Sequence, residues 1–142
     1  MRYQAIRAAI EGPLQTAIYT GRGVPTYFDN IPGVRIRSDF EYARINITFG
    51  LTTEVTLTDS IDFVRGSVVI RIYGEEGRGP ARLQDLLDTA VTTLTSLPAS
   101  TRSDSGIYLR IGAINGPTFS TDETAPHFMG RIDASFIAED HG

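Results

Sequence analysis

Two histidines, a few loop carboxylates and one glycine-rich turn are the only features of this 142-residue chain that suggest chemistry beyond packing. There is no cysteine, and all 13 basic residues are arginine. Cysteine nucleophiles, Schiff-base lysines, cysteine-based zinc sites and the P-loop lysine are therefore excluded by composition. His127 follows Pro126 at the start of a strand-like run. With Asp122 or Glu123 nearby it could act as a general base, but no serine or aspartate motif frames it, so a packed strand-edge histidine is expected. His141 stands in the C-terminal tail, and one positioned imidazole is too few for a two-histidine metal site. Residues 74–80, GEEGRGP, precede a helical stripe as an anion-binding loop would. Here the spacing fails the nucleotide fingerprints and Glu75 and Glu76 would repel phosphate, so a strand-to-helix turn is expected. Asp104, Asp122, Glu123, Glu139 and Asp140 could be imagined as an acid–base pair, yet they fall in polar stretches where carboxylates are ordinarily solvated. Asn46-Ile47-Thr48 fits a glycosylation sequon by chance. Tyr27, Phe28, Tyr42, Phe49 and Phe63 suit a core better than a ligand platform. The sequence calls for no catalytic residue, no cofactor and no metal.

The elements that would position these residues can be read from periodicity. Tyr3, Ile6, Ala9 and Ile10 recur at helical spacing, and Gly12-Pro13 is expected to break or kink that helix before a short turn through Leu14, Ala17 and Ile18. Residues 24–30, VPTYFDN, predict a strand at a sheet edge, since Pro25 has no donor. Residues 31–39 read as a loop or weak strand. Residues 42–49 alternate, with Tyr42, Arg44, Asn46 and Thr48 on one face and Ala43, Ile45, Ile47 and Phe49 on the other, as in a half-buried strand. Residues 51–60 predict a hairpin arm or loop. Residues 63–73, FVRGSVVIRIY, predict a central strand covered on both faces over part of its length. A stripe from Ala81 through Leu83, Leu86, Leu87, Ala90, Val91 and Leu94 predicts a helix to about Ser96, with Pro80 opening it and Pro98 ending it. Residues 107–114 predict a strand, 115–126 a long polar connection, 127–138 a last strand, and 139–142 a frayed tail. The order implies one α+β domain over residues 1–142. It predicts one antiparallel or mixed sheet of four to five strands with two main helices packed on one face.

Charge narrows the partners. The net charge is −4 and the pI about 5.1, which argues against tight sequestering of nucleic acid. Arginine in place of lysine follows either from genomic GC bias or from protein–protein contacts, which it suits because its planar fork pairs carboxylates in a bidentate manner and is weakly hydrated. No apolar run reaches membrane-spanning length. Residues 1–10 lack a signal-peptide core, being interrupted by Arg2, Gln4 and Arg7. A soluble protein made in a cytoplasm, with no membrane partner, is expected.

Residues 24–30 (VPTYFDN), 42–50 (YARINITFG), 64–94 (VRGSVVIRIYGEEGRGPARLQDLLDTAVTTL) and 116–138 (GPTFSTDETAPHFMGRIDASFIA) together resemble the tail terminator, or tail completion, proteins of long-tailed bacteriophages and prophages. The likeness covers most of the chain, up to Ala138, and lies in the order of elements and the turn before the long helix, with no catalytic motif in it. The resemblance implies a virion structural protein that forms a sixfold homohexameric ring on the head-proximal end of the tail tube. Such a ring ends tube growth, meets head-completion or neck proteins and, in a contractile tail, a sheath. Genomic DNA would pass through its lumen without specific binding. Six copies at −4 each carry −24 formal charges, and an acidic lumen would let DNA slide.

On that reading Arg44, Arg71, Arg110 and Arg131, on exposed strand faces, are candidates for carboxylate pairing between subunits, or else they solvate the open face. Glu54, Glu75, Arg78, Asp122 and Glu123, in or beside polar loops, are further candidates for subunit or tube contacts. The rivals are another neck or head–tail joining ring, a small acid–base enzyme using His127, and a nucleic-acid binder.

Overall fold

A computed structural model describes residues 3–28, 41–54, 62–74, 80–100, 107–121 and 128–140. Helix α1 (Tyr3–Gln15) runs directly into a π-helical turn, Thr16–Thr20. Five strands follow, interrupted by one long helix: β1 (Thr26–Tyr27), β2 (Tyr42–Glu54), β3 (Asp62–Gly74), α2 (Pro80–Ser100), β4 (Ile107–Thr121) and β5 (Phe128–Asp140). The strands form one mixed sheet in the order β1-β2-β3-β5-β4. Only β1 runs parallel to its neighbour. The α+β expectation holds, and β3 is indeed the central strand.

The helices cover one side of this sheet. Ile6, Ile10, Leu14 and Ile18 are spaced four apart and all are buried, so helical periodicity alone builds the stripe. They join Leu83, Leu86, Leu87, Ala90, Leu94 and Leu97 of α2 in one core. The sheet meets them with alternate residues, Val64, Val68, Ile70 and Ile72 of β3 and Ile132, Ala134, Phe136 and Ala138 of β5. Helix α2 lies against β3, β5 and β4, and α1 lies beside α2. The close seating of α2 on β5 requires Gly130, where an added Cβ would lie 2.5 Å from Leu87 Cδ1. Tyr3 carries α1 to β2, its ring meeting Phe49 edge-on at 5.0 Å, although Tyr3 itself is exposed.

Several boundaries differ from expectation for physical reasons. Gly12-Pro13 does not break the first helix. Pro13 forgoes one backbone bond, and the chain continues through the π-turn and Gly21-Arg22 to Gly23, which ends the helical run in the left-handed region at φ 71°. Pro98 does not end α2, which runs two residues past it to Ser100, with the buried Leu97 holding the last turn against the core. The first strand is two residues long, but it lies at the sheet edge as expected. Residues 51–54 continue β2 past a register shift between Phe49 and Thr52, while residues 55–60 lie outside the described residues, as do 31–39. The odd positions of β3 are half-buried or exposed, so among the described residues only its even face is covered.

The largest difference is β4. Residues 115–121 continue the strand where a polar connection is expected. The ladder absorbs Asn115-Gly116-Pro117 through register shifts between Ile111 and Ile114 and between Asn115 and Thr118. Each shift places one extra residue on β4, as a β-bulge does. Gly116 and Pro117, joined by a cis bond, fall in the second shift, so Pro117 owes the ladder no hydrogen bond. At the other end of the sheet Glu139 and Asp140, expected to fray, stay in β5 opposite Phe63 and Asp62.

Candidate functional site

Strand alternation puts every second residue on the side of the sheet away from the helices. Register then decides which of them become neighbours. Arg44 of β2 stands opposite Arg71 of β3, and Arg71 stands opposite Arg131 of β5. Three of the four strand arginines picked out from the sequence thus form one row across three adjacent strands. Directly opposed like charges are unfavourable in a sheet, so this row does not exist to stabilise the isolated domain.

The row is poorly compensated. Arg71 donates from Nη1 to Asn46 Oδ1 at 3.0 Å, a neutral acceptor. Arg131 Nη2 lies 3.5 Å from Asp133 Oδ2, and Asp133 also accepts from Asn115 Nδ2 at 3.0 Å. The Nε of Arg131 is buried without a hydrogen-bond partner, a state that normally costs free energy. Arg44 has no ion pair among the described residues.

Arg110, the fourth arginine, lies on the same face but apart from the row, opposite Ile137. Arg65, which the sequence reading did not single out, stands on the other side of Ile137. Its signal was available, because Arg65 shares the strand parity of Arg71. Arg65, Arg110, Ile137, Ser135 and Gly112 border a hollow of about 250 Å³. Gly112 keeps it open, since a Cβ there would collide with Ser135 Oγ. Above the arginine row, Tyr42 and Tyr73 stack with ring centroids 4.4 Å apart, and Tyr27 meets Tyr42 edge-on. Tyr42 is 4% exposed and packs as the core reading anticipated, while Tyr27 and Tyr73 are half-buried.

Glu54, a further candidate, is not brought to the row. Glu54 ends β2 opposite Asp62, which stands opposite Asp140 at the far end of the sheet. Glu75, Arg78, Asp122, Glu123 and His127 lie outside the described residues. Among the described residues no group of three or more His, Asp or Glu side chains could hold a metal ion, and no helix is long and apolar enough to cross a membrane.

The open face therefore has the chemistry of a surface awaiting carboxylates or other anions. Replacing Arg71 by threonine should leave the isolated chain within about 0.5 kcal/mol of its original stability, or raise it, because the change removes two like-charge contacts and adds a good strand former. Urea unfolding checks this. A loss above roughly 1 kcal/mol would mean that the Asn46 hydrogen bond anchors the fold.

No family model matches the chain, and no curated protein matches it. Among solved structures, one protein whose designation states no activity is similar over 97% of this chain and 96% of its own, with a TM-score of 0.65 at 18% identity. That likeness establishes the fold as one adopted by another protein of nearly the same length.

Proposed function

We propose that this chain is a virion structural protein, a tail terminator that assembles with copies of itself into a ring, hexameric in this reading, on the head-proximal end of a phage tail tube. The observation that carries the reading is the row of directly opposed arginines on the sheet face that the described helices leave uncovered. A monomer gains nothing from such a row, whereas a subunit that meets carboxylates on a neighbour does. The sequence resemblance to terminators supplies the kind of assembly.

Charge orients the subunit. A lumen through which DNA slides is best kept acidic, because arginine would bind phosphate. The arginine face then turns away from the lumen and into contacts with neighbouring subunits, tube protein or head-completion proteins.

Deleting the gene from a phage that carries it should give free heads beside overlong or unstable tails, and tagged chain should appear at the neck of intact virions by electron microscopy. DNA-leaking heads beside normal tails would reassign the protein to a head–tail joining ring. Its absence from mature particles would remove the structural reading altogether.

A further inference from the structure

The outer side of α2 is built from short side chains. Ala81, Asp85, Asp88, Thr92, Thr95 and Ser96 are all exposed there. Threonine is a weak helix former, so this run was not placed there to hold the helix. Several of the hydroxyls are satisfied internally. Thr95 bonds the carbonyls of Val91 and Thr92, Ser96 that of Thr93, and on the flank Thr93 bonds Thr89. A surface whose hydroxyls are already bonded to its own backbone can be covered without stranding donors.

The charges are complementary to the opposite side of the molecule. The open sheet face carries Arg44, Arg65, Arg71, Arg110 and Arg131 against Asp133 and Glu139, a surplus of three positive charges among the described residues. Asp85 and Asp88 are both exposed carboxylates on the outer side of α2. Asp88 accepts a hydrogen bond from the Gln84 amide at 3.1 Å, which leaves its charge uncompensated, and Asp85 engages Arg22 while remaining 60% exposed.

We infer that the outer side of α2 in one copy docks on the open sheet face of the next, with Asp85 and Asp88 set against the Arg44–Arg71–Arg131 row. The inference rests on the ring-subunit reading and names the contact that builds the ring. A carboxylate supplies what the row lacks, namely negative charge between the guanidiniums, where the Arg131 side chain is still 43% exposed. The two surfaces lie on opposite sides of one molecule, so the contact is heterologous. Every copy offers both halves, and repetition propagates to a ring or filament instead of stopping at a pair.

The test is a charge swap read by native mass spectrometry and analytical ultracentrifugation, with circular dichroism as the check on folding. Wild-type chain should self-associate. R71E/R131E alone and D85R/D88R alone should each lose association by on the order of 10²-fold, because each leaves like charges facing. An equimolar mixture of the two variants should recover it in even-numbered, alternating assemblies, since every contact then joins opposite signs. Wild-type chain that remains monomeric, D85R/D88R that assembles as wild type does, or a mixture of folded variants that fails to recover would each overturn the contact. So would DNA retention at physiological salt that R71E/R131E loses while its self-association persists, which would assign the row to phosphate. Chains that follow the swap pattern yet sit nowhere near a tail neck would keep the contact and lose the terminator reading.

Discussion

Phe136→Ala should lower the unfolding free energy by roughly 3–5 kcal/mol, near the upper limit for a single truncation. Phe136 is 1% exposed and stands on β5 where three elements meet. Its ring meets Phe49 of β2 edge-on at 6.2 Å, and Phe49 in turn meets Tyr3 of α1. Removing the ring opens a cavity beneath a strand fixed on both sides by β3 and β4, so little collapse can refill it. Chemical denaturation with an unchanged m-value checks this. A cost under about 1.5 kcal/mol would show that the surroundings relax inward.

Gly66→Ala should cost about as much, for the opposite reason. Gly66 lies opposite Phe49 in β2 and Phe136 in β5. A Cβ there would lie 2.6 Å from Phe136 Cζ and would also run into the Thr48 carbonyl oxygen. One obstacle is a side chain and the other is backbone of the adjacent strand. The double variant Gly66→Ala with Phe136→Leu relieves only the first, so it should regain part of the loss and not all of it. Such overpacking costs typically 1–3 kcal/mol, and more where backbone must move. Full recovery in the double variant would mean that the β2–β3 ladder yields at Thr48. A Gly66→Ala variant as stable as wild type would contradict the packing itself.

The sequence carried the elements better than the site. Alternation in residues 42–49 and 128–138, the apolar run of β3 and the leucine stripe of α2 each follow from a local period that burial enforces, and each is found. Pro13 misled because a single missing donor is tolerable where only one bond is forgone, and Pro98 because the buried Leu97 holds the last turn against the core. Residues 115–121 misled because Asn-Gly-Pro marks a loop everywhere except in a bulged outer strand. The arginine row was legible only in part. Parity showed that Arg44, Arg71 and Arg131 lie on open faces, but their adjacency depends on register between strands far apart in sequence, and a slip of one residue would scatter them. Arg65 was overlooked beside the apolar run that follows it. Asp85 and Asp88 gave no signal at all, since acidic residues on the wet side of a helix are ordinary until the opposing sheet surface is known.

The bulged β4 also governs what its own edge of the sheet can pair with. It borders the sheet with two interruptions in its ladder, a proline that offers no N–H and a glycine at φ 102°. A rim so irregular makes a poor template for an incoming extended chain, which needs an unbroken series of donors and acceptors. On the opposite side of the sheet the two-residue β1 pairs only with Ala43 and Arg44 of β2. An extended chain that meets this rim therefore finds no continuous backbone template along β4, and side-chain identity, not backbone, decides what can dock there.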